Sequence, residues 1–167
     1  MKRTFVALVT DKPGVLNQVA SLFRRRAFNI ESLTVGHTEK PGISRMTIVI
    51  DTDPISAERI KAYLYKLVNV LQVEDLSEIP TVSRDLAMVK IQAKPETRND
   101  VMQLVDVFRA RIVDINNDSL IIEITGTEDK IDSFVDVLRP YGIIEMAQTG
   151  SVAMQRGPTS LSNEQSA

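Results

Sequence analysis

TFVALVTDKPGVLNQVASLFRRR, residues 4–26, changes its apolar rhythm once, at Asp11-Lys12-Pro13-Gly14. Before that breaker, Thr4–Thr10 is a short strand-like run. After it, Val15, Leu16, Val19, Leu22 and Phe23 recur at helical spacing and place one apolar stripe on a helix from about Gly14 to Arg26. Working outward, Asn29–His37 and Arg45–Ile50 read as strands joined by Glu39-Lys40-Pro41-Gly42, a turn signal. Asp53-Pro54 opens a second helix with Ile60, Leu64 and Leu67 on one face. Val68–Leu76 returns as a strand, so the order is β-α-β-β-α-β.

The same order recurs beyond Ser77–Ser83, a linker that carries Pro80. Leu86–Ala93 is a strand, and Pro95-Glu96-Thr97 leads into a helix marked by Val101, Leu104, Val105 and Phe108. Arg111–Ile115 and Leu120–Thr125 flank Asn116-Asn117-Asp118, residues that tolerate the positive φ of a tight hairpin. Ile131, Phe134, Val135 and Leu138 repeat the helical stripe, and Ile143–Thr149 closes the unit. The expected fold is α+β, two tandem ferredoxin-like βαββαβ sandwiches over 1–77 and 84–155, with a linker at 78–83. The tail at 156–167 lacks apolar periodicity and is expected to be disordered. Each sandwich leaves one sheet face without helices. Strands such as Thr47–Ile50 and Ile121–Ile124 are nevertheless apolar on both faces, which predicts pairing with another copy.

Composition narrows the function. The chain has 167 residues, 20 Lys+Arg against 22 Asp+Glu, one histidine and no cysteine. A net charge of −2 offers no basic field for nucleic acid or anionic lipid. Without cysteine there are no disulfides, thiolate nucleophiles or Cys-based zinc sites, and His37 alone cannot build a multi-histidine metal site. The apolar run Phe5–Val9 is shorter than the roughly 7–15 residues of a secretory core, and no stretch is long and apolar enough for a membrane span. The expected location is therefore the cytoplasm. No G-x-G pair or P-loop is present, and the central strand Met46–Ile50 lacks the aromatics that stack RNA bases.

Asp11–Leu16 has two readings. One is punctuation, with Pro fixing the turn and Asp capping amides. The other is an anion site, in which free amides near Gly14, Val15 and Leu16 at a helix N-terminus receive a carboxylate and Asp11 holds a neighbouring cation. A ligand with both charges side by side is an α-amino acid. Asn29 is either its companion, offering donor and acceptor to a zwitterion, or a turn residue ending the first helix. Arg24-Arg25-Arg26 suits a helix C-terminus better than a phosphate patch. His37 reads as a strand-end residue, and Asp51-Thr52-Asp53 as a strand end and helix cap.

These motifs together resemble a known family. DKPGVL after the first strand, Phe28–Val35 (FNIESLTV), Ser44–Ile48 (SRMTI) and Lys66–Val70 (KLVNV) are similar to the small regulatory subunit of acetolactate synthase (acetohydroxyacid synthase). Arg84–Ile91, Phe108-Arg109, Glu123–Gly126 and Gly150–Gly157 extend the resemblance through residue 157. It implies an N-terminal ACT domain, a C-terminal ACT-like domain and a homodimer formed by pairing sheets. It also implies a large catalytic subunit as partner, which carries thiamine diphosphate, Mg and FAD. This chain would bind no cofactor and perform no catalysis; it would activate the large subunit and mediate feedback inhibition by valine in branched-chain amino-acid biosynthesis.

In such families the effector touches the loop before the first helix in one copy and the second strand of the other. Carried over to this sequence, Asp11, Gly14, Val15 and Leu16 face Asn29 and Ile30. Asp11 stands where Asn is frequent, which strengthens a hold on ammonium and opposes a carboxylate. Asn17 replaces a small Ser. Two rival readings use the same topology: a stand-alone amino-acid-sensing ACT protein with another partner, and an acylphosphatase-like hydrolase. The second lacks a basic residue inside its phosphate loop, since Lys12 precedes Pro13.

Overall fold

The structure, a computed structural model, describes residues 1–161. Nine strands and four α-helices follow in the order β1 (Lys2–Thr10), α1 (Val15–Arg25), β2 (Ile30–His37), β3 (Ile43–Asp51), α2 (Pro54–Tyr65), β4 (Val70–Asp75), β5 (Thr81–Gln92), α3 (Arg98–Val107), β6 (Arg111–Ile115), β7 (Ser119–Gly126), α4 (Glu128–Leu138), β8 (Ile143–Gln148) and β9 (Val152–Gln155) among the described residues. The chain divides into two compact units. Met1–Val82 with the residues from Ser151 on form the first, and Ser83–Gly150 the second. Each contains an α+β ferredoxin-like sandwich, with antiparallel sheets ordered β2-β3-β1-β4 and β6-β7-β5-β8.

In the first unit, alternation along the strands decides what the helices cover. Phe5, Ala7 and Val9 of β1 and Met46, Ile48 and Ile50 of β3 point to one side, where Val15, Val19, Leu22 and Phe23 of α1 meet them. Each large side chain so buried contributes about 1.5–3 kcal/mol relative to exposure. Helix α2 adds Ala57, Ile60 and Leu64. Asp53 caps it: its carboxylate accepts from Ser56 N–H at 2.9 Å, and Pro54 occupies the first helical position.

The end of α1 is closed by Ala27 rather than by Asn29. Ala27 adopts φ 57°, and Phe28 N–H donates to Phe23 O at 3.1 Å, a left-handed helix stop. Arg109 repeats the device after α3, with φ 55° and Ala110 N–H on Val105 O at 2.9 Å. The turn-residue reading of Asn29 is thereby corrected. A Cβ in this region costs energy that glycine avoids, partly offset by glycine's freedom when unfolded. Ala27→Gly is expected to stabilise the chain by about 0.5 kcal/mol, seen as a small rise in Tm.

The second core gathers Ala87, Val89 and Ile91 of β5, Leu120, Ile122 and Ile124 of β7, and Ile131, Phe134, Val135 and Leu138 of α4. The hairpin at Asn116-Asn117-Asp118 uses no positive φ, contrary to the expectation. Instead the Asn116 side-chain oxygen accepts from both Asp118 N–H and Ser119 N–H at 3.0 Å, so the side chain itself closes the turn.

Three expectations about boundaries are corrected. Half of the 78–83 linker is strand, because the β-branched Thr81-Val82 pair extends β5 upstream. Residues 151–155 belong with the first unit rather than closing the second. Of the expected tail, Arg156 N–H donates to Pro80 O at 2.8 Å, and Leu161 packs on a cluster of Val6, Leu76 and Ala153. The rest of that expectation, 162–167, lies outside the described residues. The consequence is that the helix-free face of the first sheet is covered by its own chain around Val6, which is fully buried. In the second unit the corresponding face leaves Leu86 and Met88 exposed.

Candidate functional site

The loop between β1 and α1 is built from a Pro-Gly turn. Val15 N–H approaches Lys12 O at 3.4 Å, Pro13 takes the second position, and Gly14 the third with φ 85°. The β2–β3 hairpin repeats it: Ile43 N–H meets Lys40 O at 3.3 Å around Pro41 and Gly42, whose φ is 78°. Asp11 N–H donates to Gly42 O at 2.9 Å and joins the two turns. The end of β1 is clamped a second time by Asn69. Thr10 N–H and hydroxyl both bond it at 2.9 Å, and its amide reaches Gln18 of α1 at 3.2 Å. Asn69 was missed as a site residue, although it sits inside the KLVNV motif.

Gly14 caps α1 with no side-chain bond to it, and among the described residues the amides of Gly14, Leu16 and Asn17 have no partner. A side chain at Gly14 meets nothing within 4 Å, so the space beside these amides is open. Val15, expected to offer its amide, is engaged instead: its N–H turns onto Lys12 O at 3.4 Å and its side chain is buried in the core. Leu16 is exposed and presents an apolar surface next to the amides. Asp11 sits across the loop with its carboxylate 3.4 Å from His37 Nδ1, both groups open to solvent. His37 is the last residue of β2, as its reading required.

Asn29 and Ile30 lie elsewhere. Thr10 pairs with Ile43, whereas Ile30 pairs with Ile50, which pairs with Arg3. The two groups are thus separated by the length of β1, roughly 20 Å at about 3.3 Å per residue. Within one chain the structure does not bring them together. Asn29 is exposed, and Ile30 is half-buried against the first core.

The two edges of this sheet differ. On β4 the Tyr65 hydroxyl accepts from Val73 N–H at 3.0 Å and donates to Val73 O at 3.1 Å, which satisfies edge groups from within the chain. The outer side of β2 has no such cover among the described residues. The arginine run ends α1 as its dipole favours, with Arg24 and Arg25 in the last turn and Arg26 stacked 3.9 Å above the Tyr63 ring. Among the described residues no cluster could hold a metal ion, and no helix is long and apolar enough to cross a membrane.

A pair of ferredoxin-like sandwiches with an open helix N-terminus after the first strand defines a tandem ACT-domain chain. The comparisons agree: residues 5–72 match the ACT domain of the AHAS small-subunit type, and residues 84–157 match the small subunit of acetolactate synthase. The chain is 48% identical over 155 residues to the acetolactate synthase small subunit of Mycolicibacterium smegmatis, covering 93% of this chain and 91% of that one. It is 40% identical over 158 residues to the one from Bacillus subtilis, covering 94% and 92%. The crystal structure of the acetolactate synthase small subunit from Thermotoga maritima superposes with a TM-score of 0.88 at 40% identity, over 95% of this chain and 99% of that one. The chain belongs to the acetolactate synthase small-subunit family. Membership implies a catalytic large subunit as its partner.

Proposed function

We propose that this chain is the non-catalytic regulatory subunit of acetolactate synthase, sensing valine at a site made by two copies of its first unit. The observation that carries this reading is the separation of the two halves of the effector set. Strand β2 runs parallel to β1, through two antiparallel steps across β3. If β2 pairs antiparallel with its copy across a two-fold axis, Asn29 of one chain arrives beside the loop Asp11–Leu16 of the other. Two sites form per dimer, each needing both chains. The uncovered β2 edge, set against the Tyr65-closed β4 edge, supports this choice of partner surface.

In this site the free amides of Gly14, Leu16 and Asn17 receive the carboxylate, helped by the positive end of α1. Asp11 and the Asn29 amide hold the ammonium, and Leu16 with Ile30 encloses the aliphatic side chain. Binding favours one arrangement of the two chains, and the catalytic subunit responds to that arrangement; coupling of this kind is typically about 1–3 kcal/mol. Thiamine diphosphate, Mg and FAD belong to that subunit's chemistry.

Intersubunit complementation tests the reading. Gly14→Asp damages the loop half and Asn29→Ala the strand half, so each variant alone binds no valine in a calorimeter. Chains of both kinds, mixed and reannealed, produce dimers in which one site is intact and the other doubly damaged. Random reassociation makes about half of the dimers mixed, so valine binding at about a quarter of the wild-type stoichiometry is expected in the mixture. A mixture as inert as its components overturns the two-chain site.

A further inference from the structure

A cavity opens on the helix-free face of the first sheet, between the β2–β3 hairpin, β4 and the C-terminal segment. Arg45 of β3 and Lys40 line it, and Glu39 is the one carboxylate on its wall among the described residues. Leu71, Leu76 and Leu161 supply apolar surface opposite. Arg45 is half-buried, and its Nη2 donates to Ala153 O at 2.6 Å. No carboxylate forms an ion pair with it among the described residues, and its Nε is buried with no hydrogen-bond partner. Burial lowers the Arg45 pKa, opposed by the charge of Glu39.

A guanidinium withdrawn from water and left with spare donors is costly unless an anion meets it. Its planar fork matches a carboxylate. Arg45 and Lys40 repel an ammonium, so an amino acid fits less well than a plain carboxylate. We propose that this cavity is a second ligand site of the chain, taking a small aliphatic carboxylate that seats its charged end on Arg45 and its apolar body against Leu71 and Leu76. The site lies within one chain and does not depend on the valine reading.

Isovalerate is the probe, titrated into the full-length protein by calorimetry and by the arginine Nε–H resonances in NMR. Saturable binding in the millimolar range is expected, with the Arg45 resonance shifting. Isoamyl alcohol, which has the same body without the charge, and L-valine leave that resonance in place. Arg45→Gln weakens isovalerate binding by about 10–100-fold, the usual worth of a hydrogen bond to a charged group. Leu71→Asp, at a position 38% exposed and therefore tolerant, removes binding with Arg45 intact. Gly14→Asp leaves it unchanged. The proposal is overturned by absence of saturable binding, or by wild-type affinity in either folded cavity variant. Should Arg45→Gln fail to fold, Leu71→Asp alone decides.

Discussion

Gly14→Asp is expected to free the reconstituted holoenzyme from valine inhibition while its uninhibited activity stays at the wild-type level. Gly14 supplies the close approach to the first-turn amides of α1, and the space a side chain would enter there is empty. An aspartate in that space sets an anion where the proposed site receives the effector carboxylate. Like charges at such a distance cost several kcal/mol, so the inhibition constant should rise by at least about 100-fold. Backbone strain is the competing explanation, because φ is 85° and any L residue there is strained. Gly14→Asn separates the two. It carries the same strain, of about 1–2 kcal/mol, without the charge, and Asn tolerates this region better than most residues. Inhibition curves measured for both variants should show a large shift for Asp and a small one for Asn. Equal shifts would place the effect in the backbone.

Arg3→Met should produce the largest loss of stability. Arg3 is 6% exposed, yet it is charged. Its Nε and Nη2 donate to Asp75 at 3.0 and 2.7 Å, and Nη1 reaches Glu78 at 3.0 Å. Asp75 also accepts from the Ser77 N–H at 3.0 Å and from the Ser77 hydroxyl. Thr4 N–H donates to Ser77 Oγ at 2.9 Å, so the network ties the start of β1 to the chain leaving β4. Removing the cation leaves the Asp75 carboxylate, whose side chain is 12% exposed, without its main partner. Breaking a buried pair from one side costs about 3 kcal/mol, equivalent to a fall in Tm on the order of 10 °C. The double variant Arg3→Met/Asp75→Leu should recover part of that loss, since it leaves no orphaned charge.

The same network makes stability depend on pH in a direction that can be worked out. Burial pushes the Asp75 carboxyl up, but hydrogen bonds from Ser77 and Arg3 outweigh it and hold the group below its ordinary value of 3.8. A carboxyl depressed on folding binds its proton more readily in the unfolded chain. Its stabilisation is complete above the unfolded pKa and is lost as pH falls through the folded one. The loss of stability on acidification should therefore be smaller in Arg3→Met than in the wild type, so that the gap between the two narrows as pH falls, as denaturant unfolding followed across an acid titration will show. Identical acid limbs would mean that Asp75 owes its depression to Ser77 alone.

The local elements were legible because their signals are local. The alternating runs of β1 and β3, the stripe Val15-Val19-Leu22-Phe23, the Asp53-Pro54 cap and the Pro-Gly turns each depend on neighbours a few residues away. The helix stop was not, because nothing in Ala27 or Arg109 announces a left-handed residue. Surrounding contacts impose that conformation against the residue's own preference. The Asn116 turn was misjudged for a related reason: an Asn can close a hairpin through its side chain as well as through its backbone.

By itself the sequence determined the βαββαβ order of both units and the core stripes, since periodicity and turn chemistry act over short stretches, and its family resemblance named Asp11–Leu16 and Asn29-Ile30 as candidates for an amino-acid site. Tertiary structure alone decided where those residues stand. It set Asp11–Leu16 and Asn29-Ile30 at opposite ends of one sheet, a consequence of strand register. It also brought residues 151–161 back to the first unit, burying Val6 and giving Arg45 the Ala153 carbonyl. Contacts between positions more than a hundred residues apart have no periodicity to read, because their free energy comes from burial at a surface that exists only once the chain has folded.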